Sequence, residues 1–191
     1  TFDSNPLTAT LTAGPALWAA STWTYLFKVN VTALVSSGPG TYTLGGVDAF
    51  DVYNNGWELV VLYADASRQP HLVGLGEGMD LAQGSGAPPS GPGIKPVLFS
   101  FDPSPNPRSA RLISAGGGAS AGTNSSIFYQ TGSGAPPTSD IYTTGVLLAT
   151  DLLQSNDGPV WDTYEASITI PANATYLIVQ ERSDMPNPAS L

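Results

Sequence analysis

The chain has 191 residues, of which 41% are hydrophobic and only 11% are charged, and it contains no cysteine. This length suits one domain with a sizeable core, and the lack of cysteine excludes disulfides, thiolate metal sites and thiol nucleophiles. The net charge of -9 opposes binding to nucleic-acid phosphates, and no apolar run is long enough to span a bilayer. We therefore expect no nucleic-acid partner and no membrane insertion.

The amino-terminal segment has the pattern of an amphipathic strand that ends at Gly14-Pro15. Its apolar residues beyond Phe2 alternate strictly with threonines. The candidate donor-strand residues are Phe2, Leu7, Ala9, Leu11 and Ala13. Such a strand can pair within its own sheet or complete the sheet of a neighbouring molecule. We predict a donor-strand arm over residues 1–14 and a single β-sandwich domain over residues 15–191.

Residues 22–31 form the next strand candidate, because Tyr25 and Phe27 alternate with Thr24 and Lys28. A helical turn is expected at 33–36, capped by Thr32. Residues 57–63 are apolar on both faces, which predicts a central strand.

Eight more strand candidates occur along the chain, separated by Gly, Pro, Asn and Asp. They cover residues 41–44, 71–75, 96–101, 108–114, 126–130, 141–150, 160–170 and 176–181. No segment keeps the apolar stripe of an amphipathic helix over three turns. We therefore predict an all-β fold, a two-sheet jelly-roll-like sandwich with an N-terminal extending strand.

Three N-glycosylation sequons begin at Asn30, Asn124 and Asn173. The sequence starts at Thr1 rather than at a methionine and shows no leader segment. Together these features predict a processed, secreted protein at the cell surface that carries N-linked glycans.

No group of residues points to catalysis. His71 is the only histidine, and no G-x-S-x-G elbow presents a serine nucleophile. Glu58 lies among apolar neighbours, and a glycosidase would have to use it or Glu165 with a second acid. We predict that the protein is not an enzyme. A glycosidase remains an alternative that ranks below the two non-enzymatic functions described below.

The segment Asn156-Asp157-Gly158-Pro159 offers oxygen ligands but lacks the D-x-D-x-D-G pattern of a calcium loop. It has the composition of a turn. We expect no cofactor and no structural calcium.

Four segments resemble a family of secreted β-domains of unknown function on bacterial and archaeal surfaces. They are Tyr25–Val35, Gly40–Leu44, Gly56–Asp65 and Asn156–Asp162, which match the recurring patterns "dvT.lv…GtYtv…GwsLvvvYed" and "nDg.wD". The resemblance covers residues 22–182 and leaves out Thr1–Gly14. Because its motifs are structural, it implies a β-fold and a surface location and no particular chemistry.

The chain is also similar in architecture to subunits of archaeal surface threads, bundling pili and bacterial biofilm fibres. This resemblance implies a jelly-roll subunit that donates its amino-terminal strand to the next identical subunit in a helical homopolymer. We therefore predict a structural subunit of an extracellular filament. The alternative is a monomeric surface module that binds carbohydrate or another partner through exposed Trp18, Trp23 or Trp161.

Overall fold

The computed structural model of the chain describes residues 1–19, 22–35, 40–46, 56–80, 93–117, 125–152, 157 and 161–184. Within these residues the secondary structure consists of eight β-strands, all paired antiparallel, and one short 3-10 turn. The strands are β1 (Thr10–Ala19), β2 (Thr22–Lys28), β3 (Val97–Ser100), β4 (Arg108–Gly117), β5 (Ser125–Gly132), β6 (Val146–Leu152), β7 (Trp161–Ile170) and β8 (Tyr176–Ser183). The predicted all-β class is confirmed.

The chain divides into two compact units. The ribbon unit comprises Thr1–Asp51 and Glu77–Met79 and contains β1 and β2. The sandwich unit comprises Val52–Gly76 and Asp80–Leu191 and contains β3 to β8. This division differs from the expected boundary after Gly14, because β1 continues through Gly14 and shares its unit with β2.

In the ribbon unit, a bulge in β1 changes which face its side chains occupy. Leu11 lies opposite Phe27, whereas Ala13 lies opposite Leu26, so β1 holds one extra residue at Thr12. Leu11 therefore shares the face of Phe27, and Ala13 shares the face of Leu26. The Thr12 hydroxyl donates a hydrogen bond of 3.2 Å to the Leu26 carbonyl oxygen. The alternation predicted for one face thus ends at Thr12.

Gly14 allows β1 to continue past its expected end. Its φ of 101° is in the region that favours glycine, and a Cβ at this position would lie 2.6 Å from the Thr24 carbonyl oxygen. The pairing register shifts again between Ala13 and Ala16. The Gly14-Pro15 pair therefore marks an irregularity inside the strand and not its end.

The sandwich unit contains a four-stranded sheet in the order β3-β8-β5-β6 and a two-stranded sheet of β4 and β7. The two sheets pack on one apolar cluster, to which both contribute. Its buried members are Ile127 of β5, Ile168 and Ile170 of β7, Ala174, and Leu177 and Val179 of β8. Burying each large side chain stabilises the fold by about 1.5–3 kcal/mol.

The first half of strand β8, Tyr176–Val179, is an unbroken apolar run and is buried on both faces. Leu177 and Val179 enter the cluster between the two sheets. Tyr176 and Ile178, on the opposite face, pack with Ile141 from the turn before β6. This strand is therefore the centre of the unit.

Several predicted elements differ from the structure. Residues 57–63 and 71–75 form no strand, and Tyr63 is 81% exposed. An alternating pattern reports which side chains share a face, whereas a strand also needs a neighbouring edge to pair with. Strand β6 starts at Val146 and not at Ile141, because the amides of Thr144 and Gly145 donate to the Ile141 carbonyl oxygen in a turn.

The predicted helical turn after β2 is a 3-10 turn over Thr32–Leu34, one residue earlier than expected. Thr32, the predicted cap, is the first residue of this turn, and no side chain forms a capping hydrogen bond at the position before it, Val31. The Asn30 Oδ1 instead accepts a hydrogen bond of 2.9 Å from the Thr32 amide.

Candidate functional site

The ribbon unit exposes an apolar surface, here called the aromatic face. Its members are Leu11 of β1 and Trp23, Tyr25 and Phe27 of β2, which are 45–58% exposed. Alternate residues of a strand share one face, and Leu11 lies directly opposite Phe27. The rings of Tyr25 and Phe27 have centroids 6.3 Å apart and planes 27° apart. The face thus presents three aromatic side chains and one leucine to solvent.

The sequence around the aromatic face is uncharged, since no charged residue or histidine occurs between Asp3 and Lys28. Within β1 and β2 the only charged side chain is therefore that of Lys28, so little charge has to leave water when a partner covers these strands. Lys28, at the end of β2, donates to Glu77 in an ion pair of 2.7 Å within the ribbon unit. Both side chains are about half exposed, so this pair adds little stability.

Strand β1 also has one edge that lies outside its ladder with β2. In the described part of the chain its only ladder partner is β2. The second edge carries backbone N–H and C=O groups that can add a strand. A two-stranded ribbon alone is only marginally stable in water, so covering its apolar face would stabilise it.

The structure separates the predicted donor-strand residues. Phe2 is only 2% exposed, stacks on Tyr42 with ring centroids 5.4 Å apart, and pairs with Leu44. The Thr1 ammonium group donates to the Gly45 carbonyl oxygen at 2.6 Å. The start of the chain is therefore held within its own unit.

The other donor candidates are more accessible. Leu7 is half-buried, and Ala9 and Leu11 are exposed. Leu7 and Ala9 precede β1, which starts at Thr10. Ala13 is half-buried and lies on the face opposite to that of Leu11.

A cleft of about 150 Å³ lies within the sandwich unit, between its two sheets. Most of its wall is apolar. The residues lining it are Glu58, Val60, Leu75, Gly76, Ile94, Val97, Phe99, Leu112, Ile113, Ser114, Ala115, Val179 and Glu181. Beside it, β3 pairs with β8 alone among the described strands.

Glu181 is the buried acid of this cleft. Burial raises the pKa of the Glu181 carboxyl, and the hydrogen bond from the Ser114 hydroxyl opposes this shift. This bond joins the two sheets, because Ser114 belongs to β4 and Glu181 to β8.

The two carboxylates considered from the sequence lie in different surroundings. Glu58 lines the cleft with Glu181. Glu165 is on the exposed side of β7, where Arg111 donates to both of its oxygens at 2.5 and 2.6 Å. The hydrogen bond from Arg111 lowers the pKa of Glu165. Glu181 was not among the residues predicted from the sequence, where its only signal is an acid that follows an apolar run.

The remaining candidates are placed as follows. Asn30 and Asn173 are exposed, as is His71. Trp161 is half-buried, and its ring would contact a Cβ added at Gly56. Asn124, Asn156 and the Trp18 side chain lie outside the described residues.

Comparisons with protein-family models, with curated proteins and with solved structures find no match. In the described residues, no helix has the length and apolar character needed to cross a membrane. The same residues hold no group of three or more His, Cys, Asp or Glu side chains placed to bind a metal ion.

Proposed function

We propose that the protein is a structural subunit of an extracellular filament, in which identical subunits polymerise by adding the amino-terminal strand of one to the next. The observation that carries the proposal is β1, an uncharged edge strand beside an exposed apolar face. A contact between two different surfaces of the same subunit builds an open helical filament when its rotation does not close into a ring. The three sequons support export to the cell surface.

The energetics of such a joint favour assembly. Completely burying an exposed Leu or Phe gains about 1.5–3 kcal/mol, and Leu11 and Phe27 are about half exposed. Each backbone hydrogen bond on the free edge of β1 adds about 1 kcal/mol. A few side chains and several such bonds suffice for a slowly dissociating contact.

The donor set of the proposal is Leu7, Ala9 and Leu11. Phe2 is assigned to the core of its own ribbon unit, because its transfer would break its stacking on Tyr42. Leu11, the donor residue that lies within β1, can keep its pairing with Phe27 during assembly, since β1 offers its second edge.

The acceptor of the proposal is the cleft of the sandwich unit, beside β3, whose ladder partner among the described strands is β8 alone. Its occupant is the amino-terminal strand of a second copy. An uncharged strand suits this cleft because Val97, Phe99 and Leu112 give it apolar walls and Glu181 is already buried there.

The test is the variant Leu11→Asp with Thr10→Asp as its matched control. Both residues are exposed in the subunit, so both variants are expected to fold with an unchanged circular dichroism spectrum. Leu11→Asp places a charge on the aromatic face, whereas Thr10→Asp places one on the other face. Negative-stain electron microscopy should show filaments from the natural chain and the control only. Normal filaments from Leu11→Asp, or monomers from all three proteins, would contradict the proposal.

A second candidate function is binding of a neutral carbohydrate by the aromatic face. It is favoured by the row of Trp23, Tyr25 and Phe27, whose exposed rings could stack on sugar rings. Trp57 provides a matched control, because it is 42% exposed and belongs to the sandwich unit. Retention of a monomeric chain on neutral polysaccharides, lost with Trp23→Ala and kept with Trp57→Ala, would favour this candidate. This candidate would be excluded if both variants lost retention equally, or if the natural chain were not retained on any neutral polysaccharide.

A further inference from the structure

The two sequons in the described residues differ in how the fold holds their backbones. The Asn30 sequon is Asn30-Val31-Thr32, and the Asn173 sequon is Asn173-Ala174-Thr175. Both asparagine side chains are exposed, so a glycan on either would lie in solvent. The difference lies in the contacts of the neighbouring residues.

The Asn30 sequon has only local hydrogen bonds in the described chain. The Asn30 Oδ1 accepts from the Thr32 amide at 2.9 Å, which is an Asx turn. This bond uses the oxygen of the carboxamide and leaves out Nδ2, the atom that a glycan modifies. The Val31 carbonyl oxygen accepts from the Leu34 amide at 2.8 Å. Asn30 and Thr32 are both exposed, so the segment can enter an enzyme with little disturbance of the fold.

The Asn173 sequon is bonded to distant parts of the sandwich unit. The Asn173 amide donates to the Ser104 carbonyl oxygen at 2.7 Å, and the Thr175 amide donates to the Gly132 carbonyl oxygen at 2.8 Å. The Thr175 carbonyl oxygen accepts from the Phe101 amide at 3.0 Å. Ala174, between them, is only 2% exposed and belongs to the apolar cluster.

Glycan transfer requires access to the whole sequon and not only to the asparagine. Asn Nδ2 forms a bond to the anomeric carbon of a lipid-pyrophosphate-linked oligosaccharide while the bond from that carbon to the pyrophosphate oxygen breaks. The lipid pyrophosphate leaves with the electron pair, and Nδ2 releases one proton. An enzyme that binds all three residues would have to open the hydrogen bonds of the Asn173 sequon and expose Ala174.

We propose that, of the two sequons in the described residues, Asn30 accepts a glycan in the folded protein and Asn173 does not. The proposal does not depend on filament assembly, since it concerns the isolated subunit. It predicts that the fold, and not the local sequence, selects between the two sequons.

The experiment uses the chain made without glycans and carrying Asn124→Gln, so that two sequons remain. A purified oligosaccharyltransferase that recognises Asn-X-Ser/Thr is supplied with a synthetic lipid-pyrophosphate-linked oligosaccharide, and peptide mass spectrometry locates the glycan. The folded chain should be modified at Asn30 at least tenfold more than at Asn173. Asn30→Gln should abolish modification, whereas Asn173→Gln should leave it unchanged.

Short synthetic peptides that span each sequon are the matched control, and both should be modified at similar rates. Unfolding the chain in urea that the enzyme tolerates should bring Asn173 to the level of Asn30. Comparable modification of both sequons in the folded chain would overturn the proposal. So would an unmodified Asn30 in a folded chain whose Asn30 peptide is a good acceptor.

Discussion

Gln180 and Gln130 offer a matched test of the buried polar contacts of the four-stranded sheet. They lie on neighbouring strands β8 and β5 and on the same face, because Gln130 is opposite Ile178, two residues before Gln180. The Gln180 side chain is completely buried, and its Nε2 donates to the Ile94 carbonyl oxygen and to Asp140 Oδ1, each at 2.7 Å.

The Gln180 Oε1 also accepts from the amide of Ile141 at 2.7 Å. Gln180→Leu removes all three hydrogen bonds, each worth about 1 kcal/mol, and leaves the buried Ile141 amide without its acceptor. We expect the free energy of unfolding to fall by about 3 kcal/mol.

In contrast, the Gln130 Oε1 is buried and accepts no hydrogen bond within the described residues. Gln130→Leu should therefore leave stability unchanged or raise it by up to about 1 kcal/mol.

Urea denaturation followed by tryptophan fluorescence measures both variants against the natural chain. The two substitutions are chemically identical, so the difference between them reports mainly the hydrogen bonds of Gln180. If the two free energies of unfolding differ by less than about 1 kcal/mol, the amide of Gln180 does not hold the turn before β6 as the structure indicates.

Three further variants test the subunit. Burial raises the pKa of Glu181 in the folded chain above its unfolded value of about 4.3. The stability that the protonated Glu181 carboxyl contributes is therefore complete below about pH 4.3 and is lost as the pH rises through the folded-state pKa. Glu181→Gln should thus gain stability over the natural chain as pH rises from 4 to 8 in urea titrations; a constant difference would contradict this. Gly14→Ala should increase hydrogen exchange in β1, because Gly14 has a φ of 101°; unchanged protection would contradict it. Phe2→Ala should destabilise the monomer by about 3 kcal/mol in calorimetry, whereas a donated Phe2 would leave the monomer unaffected.

The strands of the sandwich unit could be predicted from the sequence because their patterns are local. The first residues of β3, β4, β5 and β7 lie within one position of the predicted ones. The same alternation places Leu112 inward and Arg111 outward on β4. Strand β8 was predicted by its apolar run, and the structure adds that this run is covered on both faces.

The candidate sites depend on contacts that no local pattern contains. Ser114 and Glu181 meet although 67 residues separate them in sequence. The sequence indicated an apolar face for residues 22–31 and could not show that Tyr25 and Phe27 are exposed. The bulge at Thr12 depends on the partner strand, so the pattern of the first strand alone placed Leu11 and Ala13 together.

The position of β8 has a consequence for the order of folding. β8 follows every other described strand in the sequence, yet it lies between β3 and β5 and pairs with both. The four-stranded sheet therefore forms only after synthesis has passed residue 183. Until then β3 has no partner in that sheet, and Ile127 of β5 lacks Leu177 and Val179 of their common apolar cluster. The sandwich unit therefore depends on contacts between segments that are distant in sequence, and such contacts slow folding and leave the earlier strands uncovered until β8 has been made.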